Sequence, residues 1–501
     1  MSTAQQAARG AAWMIATSMG ARVIGVLGTV IVARYLEPEI IGEVSVAAII
    51  SFTAGWFTTW GFGSYAVVYG RGDQALEVTW HGTVAYMVLG VVSLVGVILL
   101  ADPVTGMLDA PGAARFIPGM ALAIFIKRLG AMPERVLTRS LRFRAVGLAA
   151  AFGEIVFAIV AVSLAARGWG GDAIIIGNLV QSVVAVALLI RAAGFREWAT
   201  PVKLRWARFQ DMMRFGLPLA IQGVAHNASR YWGNLTVTYL FGERATGIYN
   251  YAYNLADIPA IYIGEQLALV LLPSMASLPP ERRARALERS TALLSLIIFP
   301  LAVGLGLIAD PLIALLFKPE WQGIAPLLTV LTVLSVFRPI TWVLSAYMEA
   351  QDRTRQLMFL EVAKVGVLIG GFFALQSFGL RWASTSVGIA FGLNAIAGVW
   401  IVSREGPSAA RLTIGFIQPL LASGVMAAAV LGLRYFLDDS TLPLIVQLAA
   451  EIGVGAIAYV IAAFALCRAT VKDFLQLLRG MRKKRRGGDG DGEAPVAPPA
   501  P

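Results

Sequence analysis

The chain has 501 residues, of which 57% are hydrophobic and only 14% charged, with a mean hydropathy of +0.71; an ordinary soluble domain carries roughly 25% charged residues, so a water-soluble fold is excluded. The formal net charge of +11 lies in short Lys and Arg clusters between apolar segments, which excludes a nucleic-acid-binding domain. One cysteine, Cys467, and two distant histidines, His81 and His226, leave no internal disulfide and no metal-ligand cluster.

A span needs about 20 mostly apolar residues to cross roughly 30 Å of hydrocarbon. In chain order the sequence predicts helices over Ala12–Val32, Ile40–Phe62, Thr83–Leu100, Phe116–Ala131, Val146–Ala166 and Ala173–Ile190. The first is too long for a signal-peptide core and is read as a retained span. After a basic stretch the series resumes with Phe215–Val237, Gly247–Leu272, Ala292–Phe317, Ile324–Met348, Leu357–Gln376 and Ala383–Val402, followed by Ile414–Phe436 and Leu444–Leu466. The expectation is an all-α polytopic membrane protein of about 14 transmembrane helices.

Loop charge orients it. Arg135 to Arg144, Arg191 to Arg214, Arg282 to Arg289, Arg353 with Arg355, and Arg404 with Arg411 fall on the same side as both termini, which are therefore cytoplasmic. The opposite loops, such as Leu36–Glu39, Asp102–Asp109 and Phe241–Arg244, are short and often acidic. None holds a domain, which counts against catalysis.

An internal repeat with a period near 205 residues aligns Arg9 with Arg214, Tyr35-Leu36 with Leu240-Phe241 and Gly42 with Gly247. It predicts two pseudo-symmetric six-helix lobes in parallel orientation, related by an axis along the membrane normal, with substrate between them. The expected units are an N-lobe over 1–195, a C-lobe over 196–410 that begins with a basic linker, a further helix pair over 411–470, and a tail over 471–501. Pro201–Met213 reads as an amphipathic elbow or a plain linker. The basic part of the tail, Val471–Arg486, suits anionic lipid or reads as a simple stop-transfer charge cluster, and 487–501 has a disordered composition.

A charge at mid-bilayer costs at least about 2.5 to 3.5 kcal/mol, so ionisable residues inside spans face a cavity or a partner. Arg22 and Arg230 fall at nearly equivalent depths of the first and seventh helices, and guanidinium groups suit bidentate binding of a diphosphate. Asn227, Asn234, Tyr231 and Trp232 lie close to Arg230 in sequence; with Tyr253 and Arg338 they complete the candidate substrate-binding set. Glu154, Asp257, Glu265, Glu361 and Lys364 are candidates for ion coupling, although Glu361 and Lys364 also have the spacing of a simple pair. Lys127 and Arg128 read as snorkelling, and Glu451 as structural. No nucleotide-binding loop is present, so no cofactor or bound ATP is expected, and no catalytic or metal-ligating residue is assigned.

Val32 to Gly42 (VARYLEPEIIG) resembles the end of the first helix and the following loop of bacterial oligosaccharide flippases of the Wzx type. Tyr239 to Ala252 (YLFGERATGIYNYA) is similar to the matching second-lobe segment, Pro133 to Arg144 (PERVLTRSLRFR) resembles the colanic-acid-type branch, and Ala350 to Arg355 (AQDRTR) fits the same pattern. The resemblance is to the multidrug, oligosaccharidyl-lipid and polysaccharide exporter superfamily. It implies an inner-membrane flippase for undecaprenyl-diphosphate-linked glycans in exopolysaccharide or lipopolysaccharide biosynthesis, with alternating access around a cationic cavity and a polymerase or export complex as partner. Arg22 resembles the first-helix arginine of peptidoglycan-precursor flippases; near Gly28, where those proteins carry a further basic residue, this chain has none. The rival readings are a multidrug or small-cation exporter, which predicts a carboxylate-dominated cavity, and a membrane polysaccharide polymerase, which would usually need a large periplasmic loop.

Overall fold

The computed structural model describes residues 20, 23–57, 60–70, 72–260, 279–334, 336–349, 351, 353–404, 406–437 and 442–476. Its helices are α1 (Val23–Ala33), α2 (Pro38–Phe57), α3 (Phe62–Tyr69), α4 (Ala75–Leu99), α5 (Ala101–Met107), α6 (Ile117–Leu129), α7 (Ala131–Arg139), α8 (Phe143–Ala165), α9 (Asp172–Ala193), α10 (Phe195–Trp198) and α11 (Trp206–Pro259). They continue with α12 (Pro280–Leu307), α13 (Ala309–Leu316), α14 (Ile324–Leu334), α15 (Arg338–Glu349), α16 (Thr354–Leu375), α17 (Leu380–Ala383), α18 (Thr385–Ser403), α19 (Ala409–Leu437) and α20 (Leu444–Leu466). Helices dominate because lipid cannot satisfy a bare peptide group, whereas a helix satisfies its own.

Among the described residues ten helices are long and apolar enough to cross a membrane. They correspond to the expected second to sixth, ninth, and eleventh to fourteenth spans. The remaining four expectations diverge for separate reasons. Most of the first span lies outside the described residues, leaving α1 as its visible part. The seventh and the first part of the eighth merge into the 54-residue α11, whose many polar side chains dilute its hydropathy; the rest of the eighth lies outside the described residues. The tenth is represented by α14 and α15, with a turn at 336–337 before α15.

A straight helix of 54 residues would be about 80 Å long, far beyond one bilayer. Gly242 breaks α11 with φ 82°, ψ 177°, a backbone conformation open to glycine and strained for other residues, so 206–241 and 243–259 form two legs. α11 packs along α2 on one side and on α14 and α16 on the other, making it the wall common to both halves of the chain. Residues 33–41, 249–256 and 309–331 share one buried cluster in which Trp321, Tyr249 and Tyr251 are the large side chains. The outward faces are also apolar, with Val92, Ile159, Ile396, Ile457 and Phe464 among the exposed side chains, as a lipid-facing surface requires.

The segment after α9 is docked. Thr83 donates to the Trp198 carbonyl (3.0 Å), and the Arg205 amide donates to Nε2 of His81 (2.8 Å), whose Nδ1 lies 2.7 Å from the Glu77 carbonyl. These two bonds define the neutral Nδ1–H form of a fully buried imidazole. Arg208 pairs with Glu77 at 3.4 Å, and Met212 is fully buried against the same helices. The stretch read as an elbow or plain linker is thus fastened to the N-terminal helices, and its helix runs without interruption into the first leg of α11.

Candidate functional site

A cavity of about 530 Å³ lies among α1, α2, α6, α8, α9 and α11. That volume is within the range of small-ligand sites. Its floor on α1 is made of Gly25, Val26, Thr29 and Val30. Small residues allow α8 close to α1: a Cβ on Gly25 would meet the Glu154 carboxylate and one on Gly28 would meet Ala158. Glu154 in turn accepts from Nε2 of Gln181 at 2.9 Å, which fixes that amide on the cavity wall one turn from Asn178.

The opposite wall belongs to α11. Tyr231, Asn234, Asn250, Tyr253 and Asn254 line it. Tyr231 packs 5.2 Å from the Trp56 ring and 6.4 Å from Phe52, which stack on one another, giving an aromatic corner. Asn254 donates to Asn250 Oδ1. Asn234 is 3% exposed, and its Oδ1 has no hydrogen-bond partner among the described residues. An amide oxygen buried in this way is a costly feature.

Five pairs of positions 205 residues apart line the cavity together: Val26 with Tyr231, Thr29 with Asn234, Ser45 with Asn250, Ala48 with Tyr253, and Ile49 with Asn254. The first member of each pair is smaller or less polar than the second. Space comes from one copy and hydrogen-bonding chemistry from the other.

At the arginine-poor end the walls close. A Cβ on Gly42 would strike the Glu243 carbonyl, and one on Gly247 would strike the Pro38 carbonyl, so only glycine permits this backbone contact. Glu39 pairs with Arg244 at 3.3 Å, again 205 positions apart. Arg34 donates to the Leu316 and Leu315 carbonyls (3.0 and 3.1 Å), completing the open C-terminus of α13. Trp321 donates to the Leu36 carbonyl (3.3 Å) and Tyr251 to that of Thr29 (3.0 Å). Glu43 accepts from Arg115 at 2.6 Å. Beside it, burial and then the nearby Glu43 push the Glu243 carboxyl above the ordinary carboxylate range. At the arginine-rich end the Gly216 backbone touches that of Trp60 and Gly61, and Phe215 packs edge-on against Tyr65.

Among the residues singled out from sequence, Tyr231, Asn234, Tyr253 and Glu154 come together on the cavity. Asn227 bonds back to the Gly223 carbonyl (2.7 Å) and, like Trp232, is not among the lining residues. Arg22 and Glu265 lie outside the described residues, as does the side chain of Arg230. Asp257, Arg338, Glu361 and Lys364 form a separate buried chain. Arg338 pairs with Asp257 and donates to the Tyr253 hydroxyl, and its guanidinium carbon sits 4.9 Å from the Phe391 ring centre. Lys364 Nζ is 4.8 Å from the same ring and bonds Glu361 at 2.7 Å. Tyr253 links this chain to the cavity. Arg128, expected to snorkel, instead donates to the Gly55 carbonyl (2.5 Å) near the end of α2. Sequence reasoning missed Asn178, Gln181, Asn250, Asn254, Phe52 and Trp56. The amides had a usable signal, helical spacing of i, i+3 and i, i+4 inside apolar runs, whereas the rings look like any interfacial aromatics.

Among the described residues no three His, Cys, Asp or Glu side chains gather as a metal site. A family model described as "Polysaccharide biosynthesis protein" matches residues 31–326. The succinoglycan biosynthesis transport protein ExoT of Rhizobium meliloti is 23% identical over 506 residues, covering 98% of this chain and 99% of that protein. The lipopolysaccharide biosynthesis protein WzxC of Escherichia coli is 23% identical over 385 residues, covering 75% and 77%. In fold the chain is similar to the lipid II flippase MurJ in an inward closed conformation, with a TM-score of 0.77 at 15% identity over 91% of this chain and 99% of that one. An inward-facing multidrug resistance MATE family transporter gives 0.61 at 17% identity, over 78% and 95%. With more than half its length matched, the chain belongs to the polysaccharide biosynthesis protein family, as a multi-pass membrane protein related to these lipopolysaccharide and succinoglycan biosynthesis proteins and sharing the fold of MurJ and the MATE transporter.

Proposed function

We propose that the protein moves an undecaprenyl-diphosphate-linked oligosaccharide repeat unit from the cytoplasmic to the periplasmic leaflet by alternating access. The reading has fourteen spans, both termini in the cytoplasm, an N-lobe over 1–195, a C-lobe over 196–410, a helix pair over 411–470 and a lipid-binding tail. The observation that carries it is the cavity bounded by positions of α1, α2 and α11 that stand 205 residues apart, with the carboxamides of Asn178, Gln181, Asn234, Asn250 and Asn254 among its otherwise largely apolar lining. The reciprocal contacts of Gly42 with Glu243 and of Gly247 with Pro38 also support it, because two copies related by an axis meet at that axis through equivalent residues.

In this proposal Arg22 and Arg230 hold the diphosphate while the glycan occupies the cavity. The lobes rock about the site, coupled to an ion gradient through Glu154 or through Asp257 and its pair with Arg338. A polysaccharide polymerase or export complex takes the product. A drug exporter predicts a lining dominated by carboxylates, whereas the described lining holds one, Glu154.

The test is the leaflet in which lipid-linked repeat units accumulate when the chain is deleted. Accumulation in the cytoplasmic leaflet is expected; units reachable from the periplasm would point to a polymerase and overturn the proposal. Wild-type glycan export by both Arg22→Ala and Arg230→Ala, at normal protein amounts, would remove the diphosphate clamp.

A further inference from the structure

The described lining of the cavity is rich in uncharged hydrogen-bonding groups. Among its described lining residues there is no Lys or Arg, and the hydrogen-bonding groups are mostly carboxamides and hydroxyls. Carboxamides offer a donor and an acceptor on adjacent atoms, the pattern that vicinal hydroxyls present in return. Tyr231, held by Trp56 and Phe52, offers an aromatic face at the same wall. Asn234, 3% exposed, adds its carboxamide to that wall.

We infer that this cavity is a subsite for one uncharged, hydroxyl-rich sugar ring, gripped by Tyr231, Asn234, Asn250 and Asn254 of α11 and faced by Asn178 and Gln181 of α9. The inference rests on the flippase reading and divides its labour: the diphosphate is held elsewhere, and the sugar identity is read here. Selection comes from the α11 wall. At the positions 205 residues earlier stand Val26, Thr29, Ser45 and Ile49, which together offer two hydroxyls where α11 offers three amides and a phenol. A site that hydrogen-bonds a hydroxyl rejects a ligand lacking it strongly, because its buried polar groups are then left unmet.

The same correspondence supplies the test, since exchanging each α11 residue for its counterpart replaces it with a side chain the chain already uses at the equivalent place. The full-length protein in lipid nanodiscs is titrated with undecaprenyl diphosphate and with undecaprenyl-diphosphate N-acetylglucosamine, and the ratio of the two affinities is read. Wild type should favour the sugar-bearing lipid by about tenfold or more, several neutral hydrogen bonds each giving a few-fold. Asn234→Thr and Asn250→Ser combined should bring the ratio near one, and Tyr231→Val should lower it; thermal unfolding of each variant excludes misfolding as the cause, and Asn234→Thr alone serves if the pair unfolds. A ratio unchanged in the variants, or equal binding of both lipids by wild type, would overturn the subsite while leaving the flippase reading intact. Equal loss of both lipids would place the diphosphate here instead, and absence of binding of either lipid to wild type would overturn the flippase reading and the subsite together.

Discussion

Asp257 is 2% exposed, and the Arg338 guanidinium sits against it within a lipid-embedded bundle. Removing one partner of such a pair typically costs about 3–5 kcal/mol, whereas replacing both with apolar groups of similar volume is often neutral. Arg338→Met should therefore lower the unfolding temperature strongly, and Arg338→Met with Asp257→Leu should restore most of it. If Asp257 also couples transport to an ion, the restored double variant remains export-deficient. A double variant that is stable and exports at the wild-type rate would make the pair purely structural.

The connections at the arginine-poor end act as one element, because α2 and α11 meet there through backbone contacts that need glycine, while Arg34 and Trp321 bond the turn between α1 and α2 to α13 and the segment after it. Gly247→Val should prevent the Pro38 contact and hold this end apart. With Cys467→Ala removing the native thiol, Leu36→Cys should then react with a membrane-impermeant maleimide at least tenfold faster than in the parent; equal rates would mean that the glycine contact does not control access. Proton binding should act on the same element. Glu243 has a raised pKa in this closed arrangement, so protonation favours it over one in which the carboxyl is hydrated. The stabilisation is fully present below the ordinary carboxylate range and is lost as pH rises through the raised value. Divided by the thiolate fraction, the labelling rate at position 36 should rise with pH across that interval, and Glu243→Gln should make this corrected rate slow and pH-independent.

The last helices form another such element. Arg434 donates to both oxygens of Glu451 (2.9 and 2.8 Å) and to the Leu307 carbonyl (2.6 Å), tying α19 and α20 to the end of α12. Glu451 falls outside both repeats, so sequence alone marks it as structural; its partner was less visible because Arg434 lies in the last turn of α19. Glu451→Ala should loosen this helix pair, detected as faster proteolysis of the segment that follows.

For the whole molecule, the solvent was the most legible property, since long apolar runs such as 75–99 and 444–466 can only face lipid or one another. Gly42 and Gly247, aligned in sequence at a spacing of 205, stand in contact. Less legible was the cavity lining. A buried carboxylate or guanidinium announces itself by its cost in lipid, which is why Glu154 stood out, but Asn178 or Asn250 costs less and satisfies much of its own hydrogen bonding within a helix. Arg338 and Glu361 stood out for the same reason as Glu154, and they lie instead in the buried chain behind Tyr253. Charge in the membrane marks where function or pairing must be, and a list of partners is needed to tell which.

The central claim is that this chain by itself carries a lipid-linked glycan across a bilayer. Purified protein reconstituted into liposomes containing a labelled undecaprenyl-diphosphate oligosaccharide tests it directly, with an impermeant reagent reporting the share of label in the outer leaflet. The account predicts that label initially shielded in the inner leaflet becomes reactive when an ion gradient is applied, and more slowly in liposomes bearing Asn234→Thr with Asn250→Ser. Label that stays shielded with correctly folded wild-type protein, under proton and sodium gradients of either direction, would contradict it.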